Sequence, residues 1–332
     1  MLATVPVDIW RIIFAYACTD GGRTGIALSS VSKLIRALSA SYRFHSVRLA
    51  TTGGIGKFLA CYRAVMAAAA AEEIDTPRVR HLLLSFLPRE TDVIWLEGAV
   101  CFRDVHSFEE VKDIWNRRFT ELTTDLLSLV APHLETLTVL QSPDISLPMV
   151  QCSLPVLREL TLLADDRIFI RLPDEHPNFG GWPEPSDTTF YPPCLGPLDL
   201  EAIATNPSFP ALKRLHLVDG GYKRLPWDTT LPVWAKLAPQ LASLRISCAQ
   251  EPLLRAVQRV LQAPDPIFPT LQVLDIQLAS DDPRLTALAA AISCSVGTGT
   301  TKSQDVRKEI LVGAHDARSW PQRLVQDWQD RM

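Results

Sequence analysis

Apolar side chains recur along this chain with two periods, and the changes from one period to the other divide it into units. The string Pro-x-Leu-x-x-Leu-x-apolar occurs at Pro132–Val139, Pro155–Leu162, Pro210–Leu217, Pro239–Ile246 and Pro269–Ile276. A sixth copy begins at Pro77, with Val79 in the first leucine position followed by Leu82 and Leu84. The second half of each string alternates with period two, which predicts a short strand with one buried face. Several of the stretches that lead into or out of the strings carry the helical period instead. Leu122, Leu126, Leu129 and Val130 share a face over 121–131, Leu254, Val257 and Leu261 over 253–263, and Leu285, Leu288 and Ile292 over 283–292. Residues 55–71 predict an Ala-rich helix, broken by Lys57 and Arg63.

The strings start at 77, 132, 155, 210, 239 and 269, so the spacings are 55, 23, 55, 29 and 30 residues. The two long gaps, each about twice the shorter spacing, mark places where a unit has been lost or overgrown. Strand–helix units of this length bury their leucines by stacking on neighbours. The expected fold is therefore α/β, a solenoid of parallel strands with outer helices. The strings resemble the Leu-x-x-Leu-x-Leu strand of leucine-rich repeats. They depart from that family three residues later, where Leu87, Ser142, Asp165, Gly220, Ala249 and Ala279 replace the usual Asn or Cys. An irregular arc is expected rather than a regular horseshoe.

Two insertions interrupt the array. The first, 88–119, contains the capping box Ser107-x-x-Glu110 followed by Val111, Ile114, Trp115 and Phe119 on one side of a helix. The second, 173–197, holds seven prolines with Phe179, Trp182, Phe190 and Tyr191, and predicts a long loop. A polar Gly/Thr/Ser linker over 295–305 precedes a last strand at 309–312 and a terminal helix at 319–332, expected to cap the open end of the solenoid.

Residues 1–50 form a different unit. Val5-Pro6-Val7-Asp8-Ile9-Trp10-Arg11-Ile12-Ile13 opens a helix, with Pro6 suited to a first-turn position and Asp8 to the positive helix end. Asp20-Gly21-Gly22 ends it. A second helix spans 24–31, and a third runs from Ser32 through Leu34, Ile35 and Leu38 to about Tyr42. Phe44–Leu49 predicts a strand able to join the edge of the array. The succession Pro-x-Asp-Ile-Trp-x-x-Ile, Leu-Ser-x-Val-Ser-Lys-x-x-Arg and Phe-x-Ser-Val-Arg-Leu resembles the F-box, in the form common among F-box proteins of mushroom-forming fungi. Val5 stands where Leu usually precedes the proline, and Ile35 where Trp is frequent.

That resemblance implies a substrate receptor of an SCF-type ubiquitin ligase. The F-box at 1–50 would dock on a Skp-type adaptor, and through it on cullin and RING subunits. The domain at 51–332 would present an unknown target protein for ubiquitination. Carried over by position, the adaptor-binding residues are Pro6, Ile9, Trp10 and Ile13 from the first helix and Leu28, Val31, Ser32, Lys33 and Arg36 from the second and third. A protein-binding scaffold acting without the ligase is the main alternative. Nucleic-acid binding through the basic N-terminal helices is a weaker one.

Charge adds to this picture. The chain of 332 residues carries a net charge of −4, yet residues 21–71 contain no Asp or Glu and seven bases. A basic segment on an acidic body expects an acidic partner. The 46 leucines exceed ordinary usage, and the combination of high hydrophobicity and low net charge excludes global disorder. No uninterrupted apolar run has the length of a membrane span, and Asp8 and Arg11 interrupt the place of a signal-peptide core. The seven cysteines are scattered without a C-x-x-C pair, so neither a disulfide framework nor a zinc site is expected. A reduced compartment, cytoplasmic or nuclear, fits this usage.

Catalytic constellations are not expected either. Gly53-Gly-Ile-Gly-Lys57 resembles a phosphate loop only in part, because Thr51 occupies the first glycine position and Phe58 replaces the Ser or Thr that would hold magnesium. The sequence thus predicts a non-catalytic adaptor that needs no cofactor or metal. In Leu-x-x-Leu-x-Leu strands the residues alternate with the leucines on the concave face. That row predicts the target surface: His81, Thr136, Thr138, Glu159, Thr161, Arg214, His216, Ser243, Arg245, Asp275 and Gln277.

Overall fold

A proline-led turn starts most of the repeated strands. In the computed structural model, which describes residues 5–71, 76–86, 105–141, 150, 152–163, 208–219, 227–263, 266–280, 282–295, 307–311 and 320–331, four of the strings share one geometry. The N–H groups of Leu157, Leu212, Leu241 and Leu271 donate to the carbonyls of Leu154, Phe209, Ala238 and Phe268 at 3.1–3.3 Å. Proline therefore occupies the second position of a four-residue turn, where its fixed φ is already correct, and the first leucine closes it. That leucine is buried in each case, with Leu271 the most accessible at 5%.

Each string then runs into a strand. Among the described residues eight strands form one open, all-parallel sheet in chain order: β1 (Ser46–Leu49), β2 (His81–Phe86), β3 (Thr136–Gln141), β4 (Glu159–Leu163), β5 (Arg214–Val218), β6 (Ser243–Ala249), β7 (Val273–Leu278) and β8 (Arg307–Leu311). The N-terminal strand joins the edge of the array, since Ser46 pairs with His81 and Leu49 with Leu84. Units are linked by a repeated step, in which the carbonyls of Arg80, Glu135, Arg158, Lys213 and Ala242 each accept two N–H groups of the following unit. The long gaps in the sequence are overgrown connections rather than lost units, because β2 pairs directly with β3 and β4 with β5.

The register stacks the leucines. Val47, Leu82, Leu137, Leu160, Leu215, Leu244 and Leu274 form one row, and Leu49, Leu84, Val139, Leu162, Leu217, Ile246 and Ile276 the next. Both rows belong to a single buried core. Full burial stabilises a Leu or Ile side chain by about 1.5–3 kcal/mol, so these rows dominate the stability of the array.

Three short helices precede the sheet: α1 (Val7–Ala17), α2 (Arg23–Val31) and α3 (Lys33–Ser39), followed by a 3-10 turn at Ala40–Tyr42. Five more cover the leucine face: α4 (Thr52–Ala71), α5 (Val105–Val130), α6 (Trp227–Leu237), α7 (Glu251–Gln262) and α8 (Pro283–Ser295). They add Ile55 and Tyr62, Phe119 and Leu126, Trp234, Leu254 and Val257, and Ile292 to the same core. By length and composition α4 could cross a membrane; here Ile55, Leu59 and Tyr62 are buried against the sheet.

Two helices differ from expectation. The helix expected from Ser107 and the one expected over 121–131 are one continuous α5, which begins at Val105, so Ser107 is not its N-cap. Helix α6 is not legible in the periodicity because Pro232 interrupts it. The loop at 173–197, the first part of the 88–119 insertion, and the departures at Leu87, Ser142, Asp165 and Gly220 lie outside the described residues.

The last helix, α9 (Trp320–Arg331), does not cap the open end. Its Trp320 and Leu324 form a second cluster with Leu140, Leu163, Val218 and Cys248, which point away from the leucine core. It therefore lies across β3–β6 on the face opposite the other helices. The physical reason is visible in the sequence: Trp320, Leu324 and Trp328 recur every four residues and make one apolar stripe. The third outward position of β3, β4 and β5 is Leu140, Leu163 and Val218, which offers that stripe a matching surface.

Candidate functional site

The chain presents two distinct surfaces, the helical module and the polar face of the sheet. In the module, α1 is apolar apart from Asp8 and Arg11, and the structure buries only Phe14 of its length. Asp8 sits in its first turn and pairs with Arg11 at 3.7 Å on the exposed side. Trp10, half-buried, stacks on Phe14 with ring centroids 5.4 Å apart. Asp20 receives the Thr24 N–H at 3.0 Å and the Thr24 hydroxyl at 2.8 Å, which fixes the start of α2. Ser32 caps α3 by accepting the Ile35 N–H at 3.2 Å, and the Arg36 guanidinium donates to the Ser29 carbonyl.

The module is tied to the sheet through one hydroxyl. The Gly21 N–H donates to Ser46 Oγ at 3.1 Å, and the Ser46 hydroxyl lies 3.2 Å from the Thr19 carbonyl that it donates to. Gly25 brings α2 onto the backbone of Arg43, since a Cβ there would lie 2.5 Å from the Arg43 carbonyl oxygen.

This packing leaves apolar side chains outside. Among the described residues ten large hydrophobics are exposed, and eight of them belong to α1–α3: Val7, Ile9, Ile12, Ile13, Tyr16, Ile26, Val31 and Leu34. Scattered exposed apolar residues are ordinary, but a concentration on one small unit marks an interaction surface. Of the residues expected to bind an adaptor, Pro6, Ile9, Ile13, Val31, Ser32, Lys33 and Arg36 are exposed, while Trp10 and Leu28 are half-buried. Sequence reasoning left out Ile26, Leu34 and Tyr16 as surface residues. For Tyr16 the available signal was that apolar positions on α1 spread beyond the Ile9–Ile13 face and leave only Asp8 and Arg11 polar; nothing in the periodicity singles out Ile26 or Leu34.

The polar face of the sheet is more enclosed than the alternation predicts. The register aligns Thr138, Thr161, His216, Arg245 and Asp275 across five strands. Of these Thr138, Thr161 and His216 are buried, as is Gln277 one row further along. His216 lies below Trp320, ring centroids 6.2 Å apart. His216 Nε2 is 2.9 Å from Ser247 Oγ, and the Ser247 hydroxyl donates to Gln277 Oε1 at 3.4 Å. Accessible members are His81, Thr136, Glu159, Ser243, Arg245 and Asp275, which are half-buried, and Arg214, which is exposed. Two cross-strand ion pairs order them, Arg214 with Glu159 and Arg245 with Asp275 at 3.2 Å. As a result, the charges largely neutralise one another at short range.

Near β1, His45 and His81 pack edge to face at 5.0 Å, and His81 Nδ1 is 3.0 Å from Thr136 Oγ1. Burial, with the neighbouring His45 and Arg80, pushes the His81 imidazole down to about 4. Burial and Arg80 lower His45 too, partly offset by Glu135. Both rings are thus held neutral at physiological pH, as structural groups are. Burial raises the Cys18 thiol to about 11, helped by Asp20, and the Cys152 thiol to about 12, so neither is poised as a nucleophile. Among the described residues no group of three or more His, Cys, Asp or Glu side chains could hold a metal ion.

No protein-family model, curated protein or solved structure matches this chain.

Proposed function

We propose that this chain is an F-box protein, the substrate-recognition subunit of an SCF-type ubiquitin ligase, with the strand–helix array acting as a leucine-rich-repeat-like solenoid that holds a target protein. The observation that carries the reading is the apolar surface of α1–α3, which contains eight of the ten large hydrophobics exposed among the described residues. A three-helix piece of this size stabilises itself poorly, and exposing isoleucines on it is costly unless a partner covers them. The flanking bases Lys33 and Arg36 are exposed, in a segment free of acids, which suits a small acidic adaptor and would speed encounter. Chemistry would come from cullin and RING subunits; the chain itself contributes proximity. The F-box resemblance of the same residues and the parallel array in chain order support the same reading.

The test is co-purification of the full chain with a recombinant Skp-type adaptor. Wild type is expected to form a 1:1 complex on size exclusion. Ile9→Asp with Val31→Asp, both at exposed positions, is expected to abolish it while leaving the thermal transition in place. Failure of the folded wild-type chain to bind overturns the ubiquitin-ligase reading and leaves the scaffold reading, in which the module serves another partner.

A further inference from the structure

Helix α9 sits on the sheet in the manner of a bound peptide. Its contact is one stripe, Trp320, Leu324 and Trp328, while Gln322, Gln326 and Asp330 face outward. The floor is a shallow apolar strip of Leu140, Leu163, Val218 and Cys248, flanked by Thr138, Thr161, His216, Ser247 and Gln277. Ser247 links two of those polar groups, with His216 Nε2 at 2.9 Å and Gln277 Oε1 at 3.4 Å from its hydroxyl. The strip under the helix is thus bordered by hydrogen-bonding side chains, whereas the opposite face of the sheet is packed with leucines.

The fit is also looser than in the leucine core. Trp328 Nε1 and one terminal nitrogen of Arg323 are buried without a hydrogen-bond partner among the described residues. A small cavity of about 10 Å³ remains between Leu324 and Trp328 and the side chains of Thr138, Glu159 and Thr161. Each feature lowers the stability of the seated helix relative to an ideal match. Recognition of an amphipathic helix by a groove uses such spaced apolar anchors.

We infer that this groove is a binding site for an amphipathic helix with large apolar side chains at i, i+4 and i+8, that α9 is its intramolecular occupant, and that a target protein enters by exchanging its own helix for α9. A basic residue one turn from the central anchor suits the incoming helix, because it can lie over the first aromatic anchor as Arg323 lies over the Trp320 ring, 5.0 Å from its centroid. The inference rests on the target-recognition reading only in calling the incoming helix a target. Adaptor docking through Ile9 and Val31 is tested separately and can fail or hold independently.

The experiment uses the full chain with a protease site inserted between Leu311 and Trp320. The probe is a fluorescein-labelled peptide of residues 319–332, followed by anisotropy. Before cleavage the tethered helix holds the groove at high effective concentration, and the peptide is expected to bind roughly ten-fold or more weakly than after cleavage and dilution. The cleaved body should keep its cooperative thermal transition, and a peptide carrying Leu324→Glu should not bind. A second variant, uncleaved Leu324→Glu, should expose the groove and bind the wild-type peptide directly. Loss of the cooperative transition on cleavage, a severed helix that never exchanges, or equal binding before and after cleavage would each overturn the inference, since each makes α9 a permanent part of the fold or the peptide binding non-specific.

Discussion

Trp328, near the end of the chain, packs against Gly21, in the turn between the first two helices. A Cβ on Gly21 would lie 3.6 Å from the Trp328 ring and 3.2 Å from Arg48 Cβ. The polar-face helix is thereby joined to the module that carries the exposed apolar surface. Gly21 also has φ of +77°, a conformation an L side chain adopts at a cost of about 1–2 kcal/mol. Gly21→Ala is expected to lower stability by about that amount and to loosen the C-terminal end of α9. Hydrogen exchange should show faster opening at 325–331, with the amides of β4 and β5 unchanged.

Gly25 makes a sharper case. Ala in place of Gly inside a helix ordinarily stabilises by about 1 kcal/mol. Here the added Cβ would meet the Arg43 carbonyl oxygen at 2.5 Å, and that oxygen is backbone. The clash outweighs the propensity, so Gly25→Ala should destabilise by about 1–3 kcal/mol in thermal unfolding. Gly53→Ala, inside α4 with nothing within 4 Å of the new Cβ, should instead leave stability unchanged or raise it by up to about 1 kcal/mol. Equal behaviour of the two variants would show that α2 does not approach the 40–44 segment as described.

The leucine rows and the module surface respond to mutation in opposite ways. Leu215 is 1% exposed in the middle of the sheet, and Leu215→Ala should cost about 2–5 kcal/mol. Ile26 is 64% exposed, and Ile26→Ser should change stability by less than about 0.5 kcal/mol. On the proposed function, Ile26→Ser nevertheless weakens adaptor binding, and Leu215→Ala does so only by unfolding the chain. Chemical denaturation alongside pull-down separates the two.

Six of the strands were legible because a proline and two leucines mark each string over a few residues, and β1 and β8 from their own short apolar segments. Residues Pro77, Pro132, Pro155, Pro210, Pro239 and Pro269 therefore mark the units correctly. What lies between units was less legible. The continuity of α5 across Phe119 and the helix around Pro232 depend on packing against the sheet, which overrides local breaks. The position of α9 was not legible at all: its stripe of Trp320, Leu324 and Trp328 predicts an amphipathic helix but not which face of the sheet it covers. The same limit applied to the candidate target row. Alternation correctly places Thr138, Thr161 and His216 opposite the leucines, yet only the placement of α9 shows them buried.

Acid should weaken the junction between β1 and β2. His45 and His81 face each other, with Arg80 and Glu135 paired at 3.4 Å beside them, and burial, with Arg78 and Arg80, lowers His133 nearby. His81 titrates near 4 when folded and near 6.5 when unfolded. Above 6.5 both states are neutral and the pair contributes its full stability. As pH falls from 6.5 toward 4 the unfolded chain takes up protons that the folded one does not, and stability is lost across that window. The loss should be on the order of 1–3 kcal/mol for His81, since its ring is largely enclosed. Below about 4 the folded state binds the proton too, and the His81 contribution flattens. Denaturation midpoints measured between pH 7.5 and 4 should therefore fall, and His81→Gln, which can still hydrogen-bond Thr136, should flatten the decline. An unchanged pH slope in His81→Gln would assign the acid sensitivity to carboxylates instead.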